Sequence, residues 1–177
     1  MNKESLRKKY LAIRSALPPI RKEQASLNLF LSLKKITARY RYVFSFMSFQ
    51  SEIDLLKLNE FLLQESKLYL PAIHKGRMDF YKVSSLNHLE KSSMGFLSPS
   101  FSDIPSQIPD HTTLIIAPGV AFDLYGHRLG YGRGHYDEFF SRMPACKKIS
   151  VGYQEQLYLS RFPFEDHDQE LDASLFF

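Results

Sequence analysis

The chain has 177 residues, 44% hydrophobic and 24% charged, with fifteen Phe and ten Tyr against no Trp. That length suits one domain with its own core, and that composition excludes a disordered chain. The net charge of +4 is uneven, with +9 on residues 1–41 and −5 on residues 42–177, so the first quarter is either a solvated helix face or the docking face for an anion: nucleic acid, a membrane surface or a phosphorylated small molecule.

A lone Cys146 excludes an intramolecular disulfide and a Cys-rich zinc site, and fits a reducing compartment. No uncharged apolar run approaches the ~18 residues of a membrane span. The stretch MNKESLRKKYLAIR has no apolar core followed by a cleavage site, so a soluble cytoplasmic protein without membrane contact is expected.

Leu6, Tyr10, Ile13 and Leu17 recur at helical spacing and predict an amphipathic helix over 3–17, with Lys3, Arg7 and Arg14 along a neighbouring face. Pro18-Pro19 ends it and can open a second helix over about 20–38. Residues 43–49 (VFSFMSF) alternate and read as a strand, followed by a loop at 50–52 and a helix over 53–64. Residues 67–73 and 78–83 read as strands about a turn at 74–77, and 84–111 as an irregular stretch with room for a short helix. The run TLIIA at 113–117, bounded by Pro118-Gly119, has the character of a buried parallel strand. A helix is expected from about Gly134 to Arg142, a strand over 148–153, and then loop with a short strand. From Gln154 onward six acidic residues accompany only Arg161, so this tail could attract the basic amino-terminal segment. Strands alternating with helices predict a single α/β domain whose mainly parallel sheet is flanked by helices.

Five of the eight glycines fall between 119 and 134, in APGVAFDLYGHRLGYGRGHYDEFF. A glycine-rich loop at a strand's carboxyl end, leading into a helix, is where open α/β sheets bind ligands. Gly130, Gly132 and Gly134 permit positive φ and a close backbone approach, so successive N–H groups can form an anion nest backed by a helix N-terminus. Arg128 and Arg133 add fork-shaped donors for phosphate. Asp137, on the first turn of the helix, could hold a Mg²⁺ that bridges phosphate oxygens. Asp123 precedes the loop and could orient it or serve a purely structural turn. The pattern is not a P-loop, because no Lys-Ser/Thr follows, and no His-x-x-x-His pair points to zinc.

RLGYGRGHYD, preceded by PGVAFD and Gly126, closely resembles the signature of the 5-formyltetrahydrofolate cyclo-ligase family. Lys3–Arg7 (KESLR), SFMSFQSEID, LPAI followed by MDFYKV, GYQEQ and FPFEDHDQELD resemble further segments of that family in the same order, so the likeness spans nearly the whole chain. Where the family usually has Tyr-Tyr-Asp after its glycines, this chain has His135-Tyr136-Asp137. The resemblance implies conversion of 5-formyltetrahydrofolate and ATP into 5,10-methenyltetrahydrofolate, ADP and phosphate with Mg²⁺. It implies ATP contacts at Lys3, Arg7, Arg128, Gly130, Gly132, Arg133, Gly134 and Tyr136, with Arg128, Arg133 and Tyr136 acting on the reaction itself. It implies folate contacts at Met47, Glu52, Tyr131 and His135, and a metal at Asp137 and Asp168.

Such chemistry needs positioning and charge neutralisation more than a protein nucleophile, and the sequence offers donors, glycines and carboxylates but no triad. A monomer acting on small molecules, without a nucleic-acid partner, is expected. Two other readings stay open on the residues alone. One is a folate- or nucleotide-binding protein without turnover. The other is a nucleic-acid-binding protein using the basic first quarter, although no RRM, KH or helix-turn-helix pattern is present.

Overall fold

The computed structural model describes residues 2–100, 110–163, 165 and 168–177. Part of the expected irregular stretch (101–109), and Asp166 and His167 of the closing segment, lie outside the described residues.

The first helix, α1 (Lys3–Ala16), is capped by Asn2, whose side chain accepts from the Ser5 N–H at 2.9 Å. Leu17 turns extended ahead of Pro18, and α2 (Pro19–Thr37) begins on a proline, which lacks only a donor the first turn could not use. There follow β1 (Tyr42–Phe44), α3 (Leu56–Gln64), β2 (Leu68–His74), β3 (Arg77–Lys82) and a small hairpin of β4 (Glu90–Lys91) and β5 (Leu97–Ser98). Then come β6 (Thr113–Ala117), β7 (Ala121–Asp123), β8 (Arg128–Leu129), α4 (His135–Arg142), β9 (Lys147–Gly152), β10 (Leu157–Tyr158) and β11 (Ala173–Phe176).

The main sheet has the order β11-β9-β6-β1-β2-β3 and is parallel throughout except for β3, which pairs antiparallel with β2. Strand alternation separates two cores. Val43, Leu68, Leu70, Leu114, Ile116 and Ile149 share one cluster with Leu29 and Leu33 of α2 and Leu58 and Leu62 of α3. Phe44, Tyr69, Phe80 and Ile115 share the other with Phe139 and Phe140 of α4. The sheet is thus sandwiched between helices, as the period-2 pattern requires when both faces are apolar. A second sheet, β10-β7-β8, carries α1: Leu6 and Tyr10 pack on Val120, Ala121 and Leu129.

Two expected elements are shorter than the sequence pattern suggested. The strand expected over 43–49 keeps its ladder only through Ser45, whose N–H bonds the Tyr69 carbonyl at 2.9 Å. Beyond it, side chains take over the backbone partners. Asn59 donates to the Phe46 carbonyl (2.9 Å), Ser48 donates to the Ile53 carbonyl (2.7 Å), and Gln50 turns the chain at φ +54. The helix expected from 53 starts at Leu56, because Ile53 and Leu55 drop into the core instead. A further difference lies ahead of the glycine loop. The β7–β8 hairpin comes between β6 and that loop, so the loop leaves the small sheet rather than the main one. Asp123 closes the hairpin, accepting from the N–H groups of Tyr125, His127 and Phe162 and from the His127 ring. The next residue in, Phe122, is wedged between two glycines: a Cβ on Gly119 or Gly152 would stand 2.5 or 2.6 Å from its ring.

Candidate active site

Above the carboxyl ends of β1, β2 and β6 lies a cleft of about 500 Å³, a volume typical of small-molecule sites. All the candidate residues line it, from Lys3 and Arg7 through Met47 and Glu52 to the Arg128–Asp137 stretch and Asp168.

The glycine loop forms one wall. Arg7 of α1 donates from Nε to the Gly130 carbonyl at 2.8 Å. Gly132 has φ +90, and a Cβ there would meet the Arg7 guanidinium carbon at 3.3 Å, so both conformation and close approach demand glycine. Gly134, left-handed at φ +69, is the N-cap of α4 and leaves that helix start without a side-chain cap. Gly130, by contrast, does not use the positive φ expected of it and contributes its carbonyl.

Tyr131, at the loop's tip, crosses the cleft. Its hydroxyl accepts from Arg14 Nη2 at 2.6 Å and donates to Glu52 Oε1 at 3.0 Å. Burial of this hydroxyl and the adjacent Glu52 push its pKa up to about 12. Glu52 follows β1 on the loop that Gln50 turns, and its Oε2 accepts from the Phe49 N–H at 2.9 Å. Burial raises the Glu52 pKa, against the lowering effects of that N–H, of Arg14 and of Tyr131. Met47, Phe49, Pro71, Ile73, Met94 and Phe96 give this end an apolar wall, with the β4–β5 hairpin supplying the last two. His135 borders the same space, half-buried.

The opposite end is ionic. Arg128, its side chain 4% exposed, reaches Asp137 Oδ1 from Nη2 at 3.1 Å and from Nη1 at 3.2 Å, and lies over the Phe140 ring. Burial lowers the Arg128 pKa, opposed chiefly by Asp137. Arg128 therefore fixes Asp137 instead of standing open as a phosphate fork. Arg133 is exposed at the rim. Lys3 Nζ lies 2.7 Å from Asp168 Oδ2 and 3.1 Å from Glu165 Oε2. Tyr136 presents a buried hydroxyl with no hydrogen-bond partner among the described residues, and burial and Glu52 raise its pKa strongly, so it stays a proton donor.

Sequence reasoning missed Arg14. It reads as part of a charged helix face, yet it is fully buried. The buried residues of α1 are Leu6, Tyr10 and Arg14, spaced four apart, so the guanidinium occupies the place of the next apolar residue in the stripe. That regular spacing was the available signal. Cys146 is buried too, and burial pushes its thiol up to about 11, which suits no nucleophile.

The model of the 5-formyltetrahydrofolate cyclo-ligase family matches residues 1–176. The 5-formyltetrahydrofolate cyclo-ligase of Escherichia coli (strain K12) is 33% identical over 134 residues, 72% of this chain and 73% of that protein. Its counterpart in Mus musculus is 25% identical over 164 residues, 82% of this chain and 80% of that protein. The NMR structure of the Aquifex aeolicus 5,10-methenyltetrahydrofolate synthetase superposes with a TM-score of 0.84 at 30% identity, covering 98% of this chain and 89% of that one. The Mycoplasma pneumoniae synthetase shares the fold, with a TM-score of 0.74 at 19% identity over 98% of both chains. Since the match runs along the whole chain and takes in both the glycine loop and the Glu52 segment, the protein belongs to the 5-formyltetrahydrofolate cyclo-ligase family.

Proposed function

We propose that this cleft closes 5-formyltetrahydrofolate to 5,10-methenyltetrahydrofolate at the expense of ATP. Family membership carries the enzyme class and the folate substrate. The reading of ATP use rests on one observation: a glycine loop rimmed by cations is tied through Tyr131 to a buried carboxylate beside an apolar wall. A polyanion and a flat heterocycle with N–H donors suit the two ends.

The N5-formyl group is amide-like and a poor electrophile, so its oxygen must become a leaving group. The γ-phosphoryl passes to that oxygen, with a new O–P bond forming as the bond to ADP breaks. N10 then attacks the activated carbon and gives up its proton to the departing phosphate, which leaves with the former formyl oxygen. The protein's part is to hold and neutralise. The N–H groups of the loop and of the start of α4 cradle phosphate, and Arg7 and Arg133 add charge. The Tyr136 hydroxyl donates to the reacting oxygens. Glu52 accepts from pterin N–H groups, with Met47 and Tyr131 against the ring and His135 between the two substrates.

The donor set at the ionic end fits Mg²⁺: Asp137, Glu165 and Asp168 offer hard oxygens. Among the described residues no three metal-ligating side chains form a cage, which suits an ion that takes one or two carboxylates and completes its shell from phosphates and water. Asp137 and Asp168 would hold it, and it would supply charge neutralisation at the phosphates. Lys3, now on Asp168, sits where it can turn to phosphate.

The test follows ATP and folate together. Phosphate release should require 5-formyltetrahydrofolate and Mg²⁺ and should keep step with the methenyl chromophore. If folate leaves ATP turnover flat in folded protein, the reading fails. Arg133→Ala is the cleaner loop variant, because Arg128 is buried on Asp137 and its removal would strand that carboxylate. Arg133→Ala should lower kcat/KM for ATP by roughly tenfold or more, the loss expected for one charge-assisted contact to phosphate, with folding unchanged by circular dichroism.

A further inference from the structure

We propose that Arg14 is a positioning residue for the folate half of the reaction, acting through Tyr131 on Glu52. The proposal rests on the folate reading above and deepens it. Arg14 is fully buried, and all three of its guanidinium nitrogens are engaged. Nε donates to Ser51 Oγ (3.0 Å), Nη1 to the Gly119 carbonyl (3.2 Å) and Nη2 to the Tyr131 hydroxyl (2.6 Å). The cation also lies 5.8 Å from the centre of the Tyr131 ring.

These partners come from the loop carrying Glu52, the turn after β6 and the tip of the glycine loop. A planar, permanently charged fork suits such a junction. A merely structural staple would need only the Ser51 and Gly119 contacts. The third contact continues into the cleft, because the same Tyr131 hydroxyl donates its proton to Glu52 Oε1. The guanidinium thereby leaves the phenol one way to point its hydrogen, and so fixes which Glu52 oxygen is covered.

The second Glu52 oxygen accepts from the Phe49 N–H. The groups facing Glu52 are therefore Arg14 from α1, Tyr131 from the glycine loop and Tyr136 from α4, while the Tyr153 hydroxyl reaches its carbonyl at 3.4 Å. Arg14 is the cation among them. Without it, a carboxylate already disfavoured by burial would lose its compensating charge, and Tyr131 would lose the donor that orients it.

A double-mutant cycle of Arg14→Gln and Tyr131→Phe tests this, with 5-formyltetrahydrofolate and ATP binding read separately by calorimetry and KM. Arg14→Gln should weaken folate binding roughly tenfold, as for loss of an oriented, charge-assisted contact, and change ATP binding by less than about twofold. In the Tyr131→Phe background the same substitution should cost clearly less than in wild type, because the part of its effect that passes through the hydroxyl is gone and only its direct charge on Glu52 remains. The acid limb of folate binding should move to higher pH in Arg14→Gln, and Arg14→Lys, which keeps the charge, should restore it. Equal losses for ATP and folate, full additivity with Tyr131→Phe, or an unmoved acid limb would overturn the proposal. If Arg14→Gln does not fold, the cycle run with Arg14→Lys decides by the same additivity criterion. Wild-type protein that binds no 5-formyltetrahydrofolate would reject the folate reading instead, an outcome separate from all of these.

Discussion

Glu52 joins burial and charge in one side chain, and under the proposed reading it recognises the folate as well. Its pKa is raised above 4.5 by burial, and the form able to accept from pterin N–H groups is the carboxylate. As pH falls through that raised value the carboxylate takes up a proton and loses acceptor capacity. The acid limb of kcat/KM for folate should therefore lie above the ordinary glutamate range. Glu52→Gln should remove that limb and lower folate affinity by roughly ten- to a hundredfold, the cost of replacing a charged acceptor in a buried site. A pH–rate profile of the two proteins measures both effects, and a limb that persists in Glu52→Gln belongs to another group. The residues of the glycine motif were legible in the sequence because backbone demands at Gly132 and Gly134 leave few alternatives. Arg14 was not. Two of its three partners, the Gly119 carbonyl and Tyr131, lie 105 and 117 residues away, and nothing local distinguishes a buried arginine from a solvated one.

Among the elements, the β7–β8 hairpin determines where the glycine loop starts. Asp123 is 3% exposed, and its carboxylate satisfies three backbone N–H groups and the His127 ring. Against the burial that opposes ionisation, these donors hold its pKa below the ordinary 3.8. A carboxyl whose pKa is depressed on folding contributes stability above its unfolded value, and that contribution is lost as pH falls through the folded one. Asp123→Asn should therefore cost about 2–4 kcal/mol at neutral pH, in the range for losing a buried charged acceptor, and progressively less as pH falls below 3.8 through the lowered folded value. Urea unfolding across that range measures the difference. A cost independent of pH would mean that shape, and not charge, is what Asp123 supplies. The long helices and the strands on either side of the 74–77 turn follow their patterns closely, because apolar periodicity and turn residues agree there. β1 is shorter than its alternating pattern because Ser48 and Asn59 offer the backbone other partners. The β7–β8 hairpin was not read at all: its strands are three and two residues long, too short for any periodicity to register.

Across the whole molecule, charge segregation along the chain becomes pairing in space. Lys3 meets Glu165 and Asp168, and Arg21 meets Glu155 and the Phe177 carbonyl, so the basic first helices clasp the acidic closing segment. Of the eleven cations on residues 1–41, Lys3, Arg7, Arg14 and Arg21 are thus engaged within the fold, while Lys8, Lys9, Lys34, Lys35, Arg39 and Arg41 remain exposed. No helix among the described residues is long and apolar enough to cross a membrane. Because α1, the closing segment at Glu165 and Asp168 and the glycine loop meet at the ionic end of the cleft, nucleotide bound there as proposed should raise the stability of the fold. At a hundred times its Kd, ATP with Mg²⁺ should add about 2.7 kcal/mol, or a rise in Tm of roughly 5–10 °C for a domain of this size. Chelation of the metal should remove most of that rise. A Tm that responds to 5-formyltetrahydrofolate but not to ATP with Mg²⁺ would mean that the folded protein does not bind the nucleotide, and would overturn the ATP reading.

The Phe122 ring occupies the space that a side chain on either Gly119 or Gly152 would need. Packed this tightly on two sides, it should flip slowly and only as β7 and β9 ease apart, so the exchange rate of its paired ring protons should report breathing of the scaffold beneath the cleft.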